Sequence, residues 1–330
     1  MPLQSSFKLN SGYSIPAVGL GTKFKQSKPN EVKNAVATAL AAGYRHIDAA
    51  ACYDNEEEVG AGMKESGVSR SDIFVTGKLW NTHHKPEDVE RHIDTTLRDL
   101  QTDYLDLYLI HFPVSFQRTN DTERFPVNPA TEEIHVIDVP IIDTWKAMEA
   151  LVKKGKVRSI GVSNFTRQKI EDLWEKAEIK PSVNQIEAHP YLQQPELLKW
   201  CKEKGIVVEA YSPLANNIYN LPRADDDAAI KEIAASLGKP VVTVLLSWAV
   251  QRGTVVLTKS VTPARIKANF EVFELPQEAF QKINALDRAH RYNFPIRLGV
   301  DIFGESSPEA LRKGVEDWKA AQRKLKSGAK

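Results

Sequence analysis

The sequence of 330 residues predicts an α/β fold built on a (β/α)8 barrel, and three observations carry this prediction. Eight short strand-like runs follow one another along the chain, and helical pattern comes after each of them. The alternation extends over roughly 250 residues, the length that eight such units need. The turn after the first strand reads GLGTKF and lacks the G-x-G-x-x-G pattern that an open doubly wound sheet usually carries there.

Each element has a local signal. A hairpin is predicted first, with the turn triplet Asn10-Ser11-Gly12 between the runs 7–9 and 13–15. Pro86 opens one helix, and its apolar stripe reaches Leu100. The predicted strands are 17–21, 44–48, 73–77, 104–110, 157–162, 182–186, 206–210 and 254–258. The other predicted helices are 29–42, 55–66, 141–154, 166–177, 194–204, 226–237, 240–251, 263–269 and 276–286.

One more helix is predicted in the tail, over Ser307 to Leu325. Its apolar positions share one face, which suits either a partner-binding helix or an appendage packed on the barrel. We favour the appendage. No internal linker or low-complexity segment occurs, so we predict a single domain over residues 1–330.

The composition argues against some classes of function. Lys and Arg total 44 and Asp and Glu total 43, a balance unlike that of proteins that bind nucleic acid or a membrane surface. The two cysteines fit a reducing compartment, and the first residues show no signal-peptide pattern, so a cytoplasmic location is predicted. No Walker loop, CxxC, HExxH or EF-hand pattern occurs, and no metal site is predicted.

Four reactive side chains fall at the ends of three consecutive predicted strands. Asp48 ends the second strand and Tyr53 follows in its loop, while Lys78 and His111 come at the ends of the third and fourth. In a (β/α)8 barrel these positions meet at one face. Considered one at a time, three of these residues have an ordinary structural explanation. The aspartate could cap a helix, the tyrosine could anchor a loop, and the histidine could be a core residue. The lysine, after an apolar strand, needs a partner, and the joint placement favours chemistry.

Together the four groups suit proton donation to a carbonyl oxygen. A phenol has an ordinary pKa of about 10, and a nearby ammonium lowers that pKa. We expect Asp48 to hold Lys78, Lys78 to act on Tyr53, and His111 to orient a substrate oxygen. The set contains no hydride source, so a cofactor must supply one.

These residues, in the segments GYRHIDAAACYDNEEEVG, IFVTGKLW and YLDLYLIHFP, resemble the aldo-keto reductase family. The segments GVSNF, NQIEAHPYL, EAYSPL and TKSVTPARIKANF extend the resemblance from the hairpin to about residue 295. The nearest likeness is to fungal and yeast NADP-dependent aldehyde, glycerol or aldose reductases. The resemblance implies a TIM barrel, NADP(H) as cofactor, and Asp48, Tyr53, Lys78 and His111 as the catalytic tetrad.

The resemblance also implies the other site residues. Lys259 and Arg265 would bind the 2′-phosphate that distinguishes NADP from NAD. The implied cofactor-binding residues are Gly21, Thr22, Asp48, Ser163, Asn164, Gln185, Tyr211, Ser212, Leu214, Lys259, Ser260, Val261, Arg265 and Asn269. The substrate-pocket candidates are Lys23, Phe24, Trp80, His111, Phe112 and Tyr292, the last with its neighbours Asn293 and Phe294.

The chain departs from the family pattern at several positions. Lys23-Phe24-Lys25 stands where an aromatic residue is common, Asp54 replaces a usual Gly, and Ala215 and Ala268 replace a frequent Gly and Glu. Lys23 favours carboxylate- or hydroxyl-bearing substrates, whereas the aromatic candidates favour apolar ones. Asp54 is expected to raise the pKa of Tyr53 or to pair with Lys78. Both alanines are expected to weaken cofactor binding modestly.

The favoured hypothesis is a monomeric NADPH-dependent oxidoreductase that reduces aldehydes, ketones or sugar-derived aldehydes with Tyr53 as proton donor. One alternative is a non-catalytic NADPH-sensing barrel subunit. Another is a phosphate-sugar isomerase, for which Glu187 is the only obvious strand-end base.

Overall fold

The computed structural model describes residues 3–24, 28–217 and 219–326. Eight strands within these ranges form a closed barrel, in which the segments 183–187, 207–211, 255–258, 18–21, 46–48, 74–79, 105–110 and 157–163 follow one another in space. All eight neighbouring pairs are parallel. The barrel strands are β3 (Val18–Gly21), β4 (His46–Asp48), β5 (Phe74–Leu79), β6 (Leu105–Ile110), β9 (Val157–Ser163), β10 (Val183–Glu187), β11 (Val207–Tyr211) and β12 (Val255–Thr258). The (β/α)8 prediction is confirmed.

Helices surround the barrel where the sequence predicts them. Pro86 is the first residue of α3, and Thr166 caps α5 by accepting a hydrogen bond from the backbone N–H of Lys169. Gly238 ends α7 in the left-handed region at φ 61°. The helices are α1 (Glu31–Ala41), α2 (Glu56–Glu65), α3 (Pro86–Asp99), α4 (Ile141–Lys153), α5 (Arg167–Lys176), α6 (Pro195–Glu203), α7 (Ala228–Leu237), α8 (Val241–Gln251), α9 (Pro263–Phe270), α10 (Gln277–Asn284) and α11 (Pro308–Lys326).

The predicted N-terminal hairpin is present, formed by β1 (Ser6–Lys8) and β2 (Ser14–Pro16). The Ser11 hydroxyl hydrogen-bonds to that of Ser159 on β9, and the Asn10 amide donates to the backbone of Pro181. Both partners lie at the amino-terminal side of their barrel strands. The hairpin therefore covers the end of the barrel opposite the strand carboxyl ends.

A second small ribbon lies in the long segment before α4, where the sequence predicts no element. Its strands are β7 (Ser115–Phe116) and β8 (Val136–Ile137), paired antiparallel. Two-residue strands are too short to show an alternating pattern, so the sequence could not reveal them. Phe116 belongs to a second hydrophobic cluster, separate from the main core. The second cluster contains Trp80, Val114, Phe116, Ile134, Leu298 and Ile302.

The tail helix α11 packs on the barrel, as the appendage hypothesis expects. Trp318 contacts the second cluster, and Gly314 lies against the short 3₁₀ helix Ile296–Leu298. A β-carbon at Gly314 would come within 2.7 Å of the Ile296 side chain, so only glycine permits this approach. The prediction of one domain over 1–330 stays a prediction.

Within the described ranges, no single helix has the length and apolar character needed to cross a membrane. The pair α7 and α8 meets that test only when joined, and the two helices are bent by 94°.

Candidate active site

The four predicted catalytic side chains lie together at the carboxyl end of the barrel. Asp48 is the last residue of β4, and Tyr53 ends a single 3₁₀ turn that follows it. Lys78 lies near the end of β5, and His111 comes directly after β6. Because the three strands are neighbours in the barrel, their ends bring the four groups to one place.

Lys78 is fully buried, and its ammonium group contacts three oxygen atoms. Its Nζ donates to Oδ1 of Asp48 at 2.6 Å and to the backbone carbonyl of Ala49 at 3.0 Å. The third contact, 3.4 Å away, is the hydroxyl of Tyr53. A buried cation needs such partners because it has lost its hydration. The ion pair expected between Asp48 and Lys78 is therefore present.

The effect on Tyr53 differs from the sequence-based expectation. Burial, followed by the negative charge of Asp48, raises the pKa of the Tyr53 hydroxyl well above its ordinary value. The phenol therefore carries its proton, which is the form a proton donor needs. The Lys78 ammonium, 3.4 Å away, would stabilise the phenolate if the hydroxyl lost its proton.

His111 is buried among aromatic rings. Its imidazole stacks on Phe112 with an angle of 11° between the planes and meets the edges of Trp80 and Tyr53. Burial, with the Lys78 charge as the next cause, holds the pKa of His111 well below its ordinary value. The imidazole is therefore neutral, with one N–H and one lone pair.

A buried polar network continues from Asp48 into the barrel. The Gln185 amide donates to Oδ2 of Asp48 at 2.8 Å and to Oε2 of Glu209 at 2.7 Å. Burial and the charge of Asp48 raise the pKa of the Glu209 carboxyl, which keeps a second negative charge out of the barrel interior. Among the described residues, nothing donates to Oε1 of Gln185, although its side chain lies on the wall of a cavity.

That cavity has a volume of about 950 Å³ and runs across the carboxyl end of the barrel. Tyr53 and His111 line one region of it, and Lys259 and Arg265, both exposed, line another. The hydroxyl of Tyr211 donates to Oδ1 of Asn164, which fixes the tyrosine ring at the wall. The predicted site residues on the wall are Gly21, Lys23, Asp48, Tyr53, His111, Phe112, Ser163, Asn164, Gln185, Tyr211, Ser212, Leu214, Lys259, Ser260, Arg265 and Asn269.

Five predicted binding residues lie outside the wall of this cavity. Thr22 is buried and donates its hydroxyl to the backbone of Asp48, while Val261 lies in the exposed turn before α9. Phe24 packs against the main core. The Trp80 indole donates to the backbone of Arg124 and lies in the second cluster, behind His111 and Phe112. Tyr292 packs on Tyr191 in a third cluster, and its neighbours Asn293 and Phe294 line the cavity instead.

Glu187, the base that an isomerase would use, has a structural role. Its two carboxylate oxygens accept hydrogen bonds from the backbone N–H groups of Tyr292 and Asn293. His189 is its third partner, and the side chain has no exposed surface. Glu187 therefore anchors the segment after α10, and the structure does not favour the isomerase hypothesis.

Several wall residues were not predicted from the sequence. Arg297 is the most notable, because it is partly buried and its guanidinium lies 4.9 Å from the centre of the Phe125 ring. Burial lowers the pKa of Arg297, and no carboxylate of the described residues forms an ion pair with it. A lone arginine far along the chain carries no sequence signal for this position. The other unpredicted wall residues are Pro213, Asn216, Tyr219, Arg223, Asp225, Asp226, Pro240, Val242, Thr243, Leu246, Leu257, Thr258, Ala268 and Pro295.

Comparison with known proteins decides the family. The model of the aldo/keto reductase family matches residues 17–288. The chain belongs to this family.

Members with known names include two reductases from Hypocrea jecorina. This chain is 48% identical to a D-galacturonate reductase over 308 residues, or 90% of this chain and 97% of the relative. It is 44% identical to a D/L-glyceraldehyde reductase, over 92% of this chain and 95% of the relative. The solved aldose reductase of Schistosoma japonicum has a TM-score of 0.84 and 38% identity, covering 92% of this chain and all of that chain. These family members support carbonyl reduction as the general chemistry.

The Asp54 departure from the family pattern is explained by its backbone and its partner. Asp54 has φ 54°, in the left-handed region where the usual Gly is free of strain and Asp is tolerated. Its carboxylate accepts two hydrogen bonds from Arg124, at 2.7 and 3.0 Å. Lys78 pairs with Asp48 instead, so the expected pairing of Asp54 with Lys78 is absent. The expected effect of Asp54 on the pKa of Tyr53 stays a prediction.

Ala215 occupies the same kind of backbone position, with φ 56°. A residue with a β-carbon costs about 1 kcal/mol there relative to the Gly that the family often has. The side chain is fully buried in the third cluster with Tyr191 and Tyr292. Packing of this methyl group offsets part of the backbone strain.

Proposed function

We propose that this protein is an NADPH-dependent reductase of aldehydes, with Tyr53 as the proton donor. The observation that carries the proposal is the contact of buried Lys78 with Asp48 and Tyr53, which together with His111 line a cavity of about 950 Å³. Family membership supports the reaction class. The expectations of a monomer and of a cytoplasmic location remain predictions.

The cavity wall fits NADPH at both of its ends. Oε1 of Gln185, to which no group of the described residues donates, suits a carboxamide N–H donor, and the ring of Tyr211 offers a flat face for a nicotinamide. Lys259 and Arg265 bring two cations to the other end, where a 2′-phosphate would need them. The bound cofactor supplies the hydride.

The residues of the chain would control the proton. Tyr53 donates its hydroxyl proton to the carbonyl oxygen as negative charge develops there. Lys78, at 3.4 Å, stabilises the phenolate that remains, and Asp48 keeps the ammonium in place. The neutral imidazole of His111 donates a hydrogen bond to the same substrate oxygen and so orients the carbonyl.

Replacing Tyr53 by Phe tests this function directly. The Tyr53→Phe variant keeps the ring but loses the proton, so we expect the rate of glyceraldehyde reduction to fall by about 10²–10⁴-fold. NADPH binding, followed by fluorescence titration, should change little. Both quantities are measured for the wild type with NADPH and with NADH, and NADPH is expected to be the better substrate.

A wild-type protein that binds NADPH tightly but reduces no aldehyde in a broad panel would contradict this function. That outcome would instead support the non-catalytic NADPH sensor. Equal turnover by wild type and Tyr53→Phe would show that another group donates the proton.

We further propose aldehydes that carry a carboxylate, such as uronic acids, as preferred substrates. Arg297 lines the cavity and forms no ion pair with the described residues, so its guanidinium could bind an anion there. Lys23 adds a second cation on the same wall. The relative from Hypocrea jecorina that is named for D-galacturonate supports this class.

The substrate proposal is tested with Arg297→Gln. A charge-assisted hydrogen bond contributes about 1.5–3 kcal/mol, so the KM for galacturonate should rise about 10–100-fold. The KM for the neutral glyceraldehyde should stay within about twofold of the wild-type value. Arg312→Gln, on the exposed side of α11, is the control for the loss of one positive charge. A similar KM increase for both aldehydes would rule out a carboxylate contact.

A further inference from the structure

The environment of His111 contains a contact that the tetrad does not include. Sγ of Cys52 lies 3.5 Å from Nδ1 of His111. Cys52 directly precedes Tyr53, and its thiol is partly buried against the second cluster. Among the described residues, no other group hydrogen-bonds to the His111 ring.

The aromatic neighbours of His111 fix its plane but leave its protonation pattern open. Phe112 stacks on the imidazole, and Trp80 and Tyr53 meet it edge-on. None of these ring contacts distinguishes Nδ1 from Nε2. The nitrogen that carries the proton of a neutral imidazole is set by the hydrogen bond that the other nitrogen makes.

The Cys52 thiol can form this hydrogen bond with Nδ1 of His111, and we expect sulfur to be the donor. Burial raises the pKa of the thiol to about 12, so the sulfur carries its proton. Two arrangements are then open: S–H donates to Nδ1, or Nδ1–H donates to sulfur. A nitrogen lone pair is a better acceptor than a thiol sulfur, so the first arrangement is preferred.

We propose that Cys52 is a positioning residue that donates its S–H to Nδ1 of His111 and thereby keeps the ring proton on Nε2. His111 lines the cavity, and Nε2 is the ring nitrogen left for a ligand there. The Nε2–H tautomer can donate to a carbonyl oxygen, whereas the opposite tautomer would present a lone pair and repel it. The consequence for turnover rests on the proposed function, but the tautomer itself does not.

The tautomer can be read by nitrogen NMR of the whole protein labelled with ¹⁵N-histidine. The His111 signal is assigned from the spectrum of His111→Asn, in which it disappears. We expect a pyrrole-like shift for Nε2 and a pyridine-like shift for Nδ1, with NADP⁺ present and absent. A wild-type spectrum with the proton on Nδ1 would overturn the proposal, whatever the variants do.

Two variants separate hydrogen bonding from packing. Cys52→Val fills a similar volume without a donor, and we expect mixed tautomers and a drop of about 3- to 10-fold in kcat/KM. Cys52→Ser keeps a donor, and we expect it to restore the Nε2–H spectrum and most of the turnover. Cys201→Val, which changes the other cysteine in the main core, should leave the His111 signal unchanged.

Two results with the variants would overturn the proposal. One is a Val variant that keeps both the wild-type spectrum and wild-type turnover. The other is a Ser variant with the spectrum of the Val variant. Since the spectrum of the wild type needs no turnover, failure of the inference is distinguishable from failure of the reductase function, which is read from wild-type activity alone.

Discussion

Lys78 and Asp48 form a buried ion pair whose effect on stability can be separated from the catalytic role that we propose for it. Neither side chain has more than 3% of its surface exposed, and the two meet at 2.6 Å. Removing one partner would leave the other as an uncompensated buried charge, which is far more costly than removing both. The contribution of the pair to stability can therefore be measured apart from the catalytic role that we propose for it.

A double-mutant cycle tests this separation. Lys78→Met should lower the free energy of unfolding by about 3–5 kcal/mol, because Asp48 loses its cation. Adding Asp48→Asn should recover much of that loss, while aldehyde reduction remains abolished in both variants. Urea unfolding and NADPH oxidation are the two measurements. Additive stability losses in the double variant would contradict the dependence of each charge on the other.

The placement of Asp48, Tyr53, Lys78 and His111 could be predicted because strand ends and reactive side chains coincide in the sequence. The roles that we propose for Arg297 and Cys52 could not, since they depend on where a distant loop and a neighbouring imidazole lie. Tyr292 is the opposite case, a residue that the sequence predicts at the pocket but that does not line the cavity. It was expected at the pocket because it is aromatic and near the right place in the chain, but packing in the third cluster buries it.

Among the elements, the barrel strands and their helices were well predicted, with boundaries shifted by one or two residues. The loops were less predictable, because several site residues take left-handed backbone conformations that no pattern of hydrophobicity reveals. Asn164, Ser212 and Ala215 have φ of 64°, 52° and 56°, and all three lie on strand-end loops around the cavity. Such strain persists only where the surrounding structure holds it.

The tail helix α11 packs against the turn Ile296–Leu298, which carries Arg297 of the cavity wall. Gly314→Val would place a side chain against Ile296 and push this turn, which carries Arg297. We expect a stability loss of about 1–3 kcal/mol and a KM increase for galacturonate that exceeds the increase for glyceraldehyde. Steady-state kinetics with both aldehydes provide the measurement.

The matched control for the tail helix is Ala320→Val, which adds the same side chain at an exposed position of α11. It should change neither KM. If Gly314→Val lowered turnover of both aldehydes equally, the tail would act on the whole barrel and not on the substrate side.

At the scale of the whole molecule, buried acids make stability depend on pH. Burial raises the pKa of the Glu56 carboxyl from 4.5 to about 8, so the native state keeps a proton that the unfolded chain releases. Between these two values the native state binds more protons, and stability falls as pH rises. Because one proton is involved, the free energy of unfolding changes by at most about 1.4 kcal/mol per pH unit.

Glu56→Gln removes this titration. The variant should gain stability relative to the wild type as pH rises from about 5 to 8, and the gain should level off above pH 8. Urea unfolding of both proteins across this range gives the difference directly. Glu57→Gln, at an exposed position next in the chain, is the control. A difference that does not vary with pH would show that Glu56 is already ionised in the native state.

The tail helix places a proposed substrate contact in the last part of the chain. The segment that carries Arg297 and the helix that supports it both come after residue 288, where the match to the family model ends. Substitutions there would therefore alter the proposed carboxylate contact while Asp48, Tyr53, Lys78 and His111 keep their positions at the strand ends of the barrel.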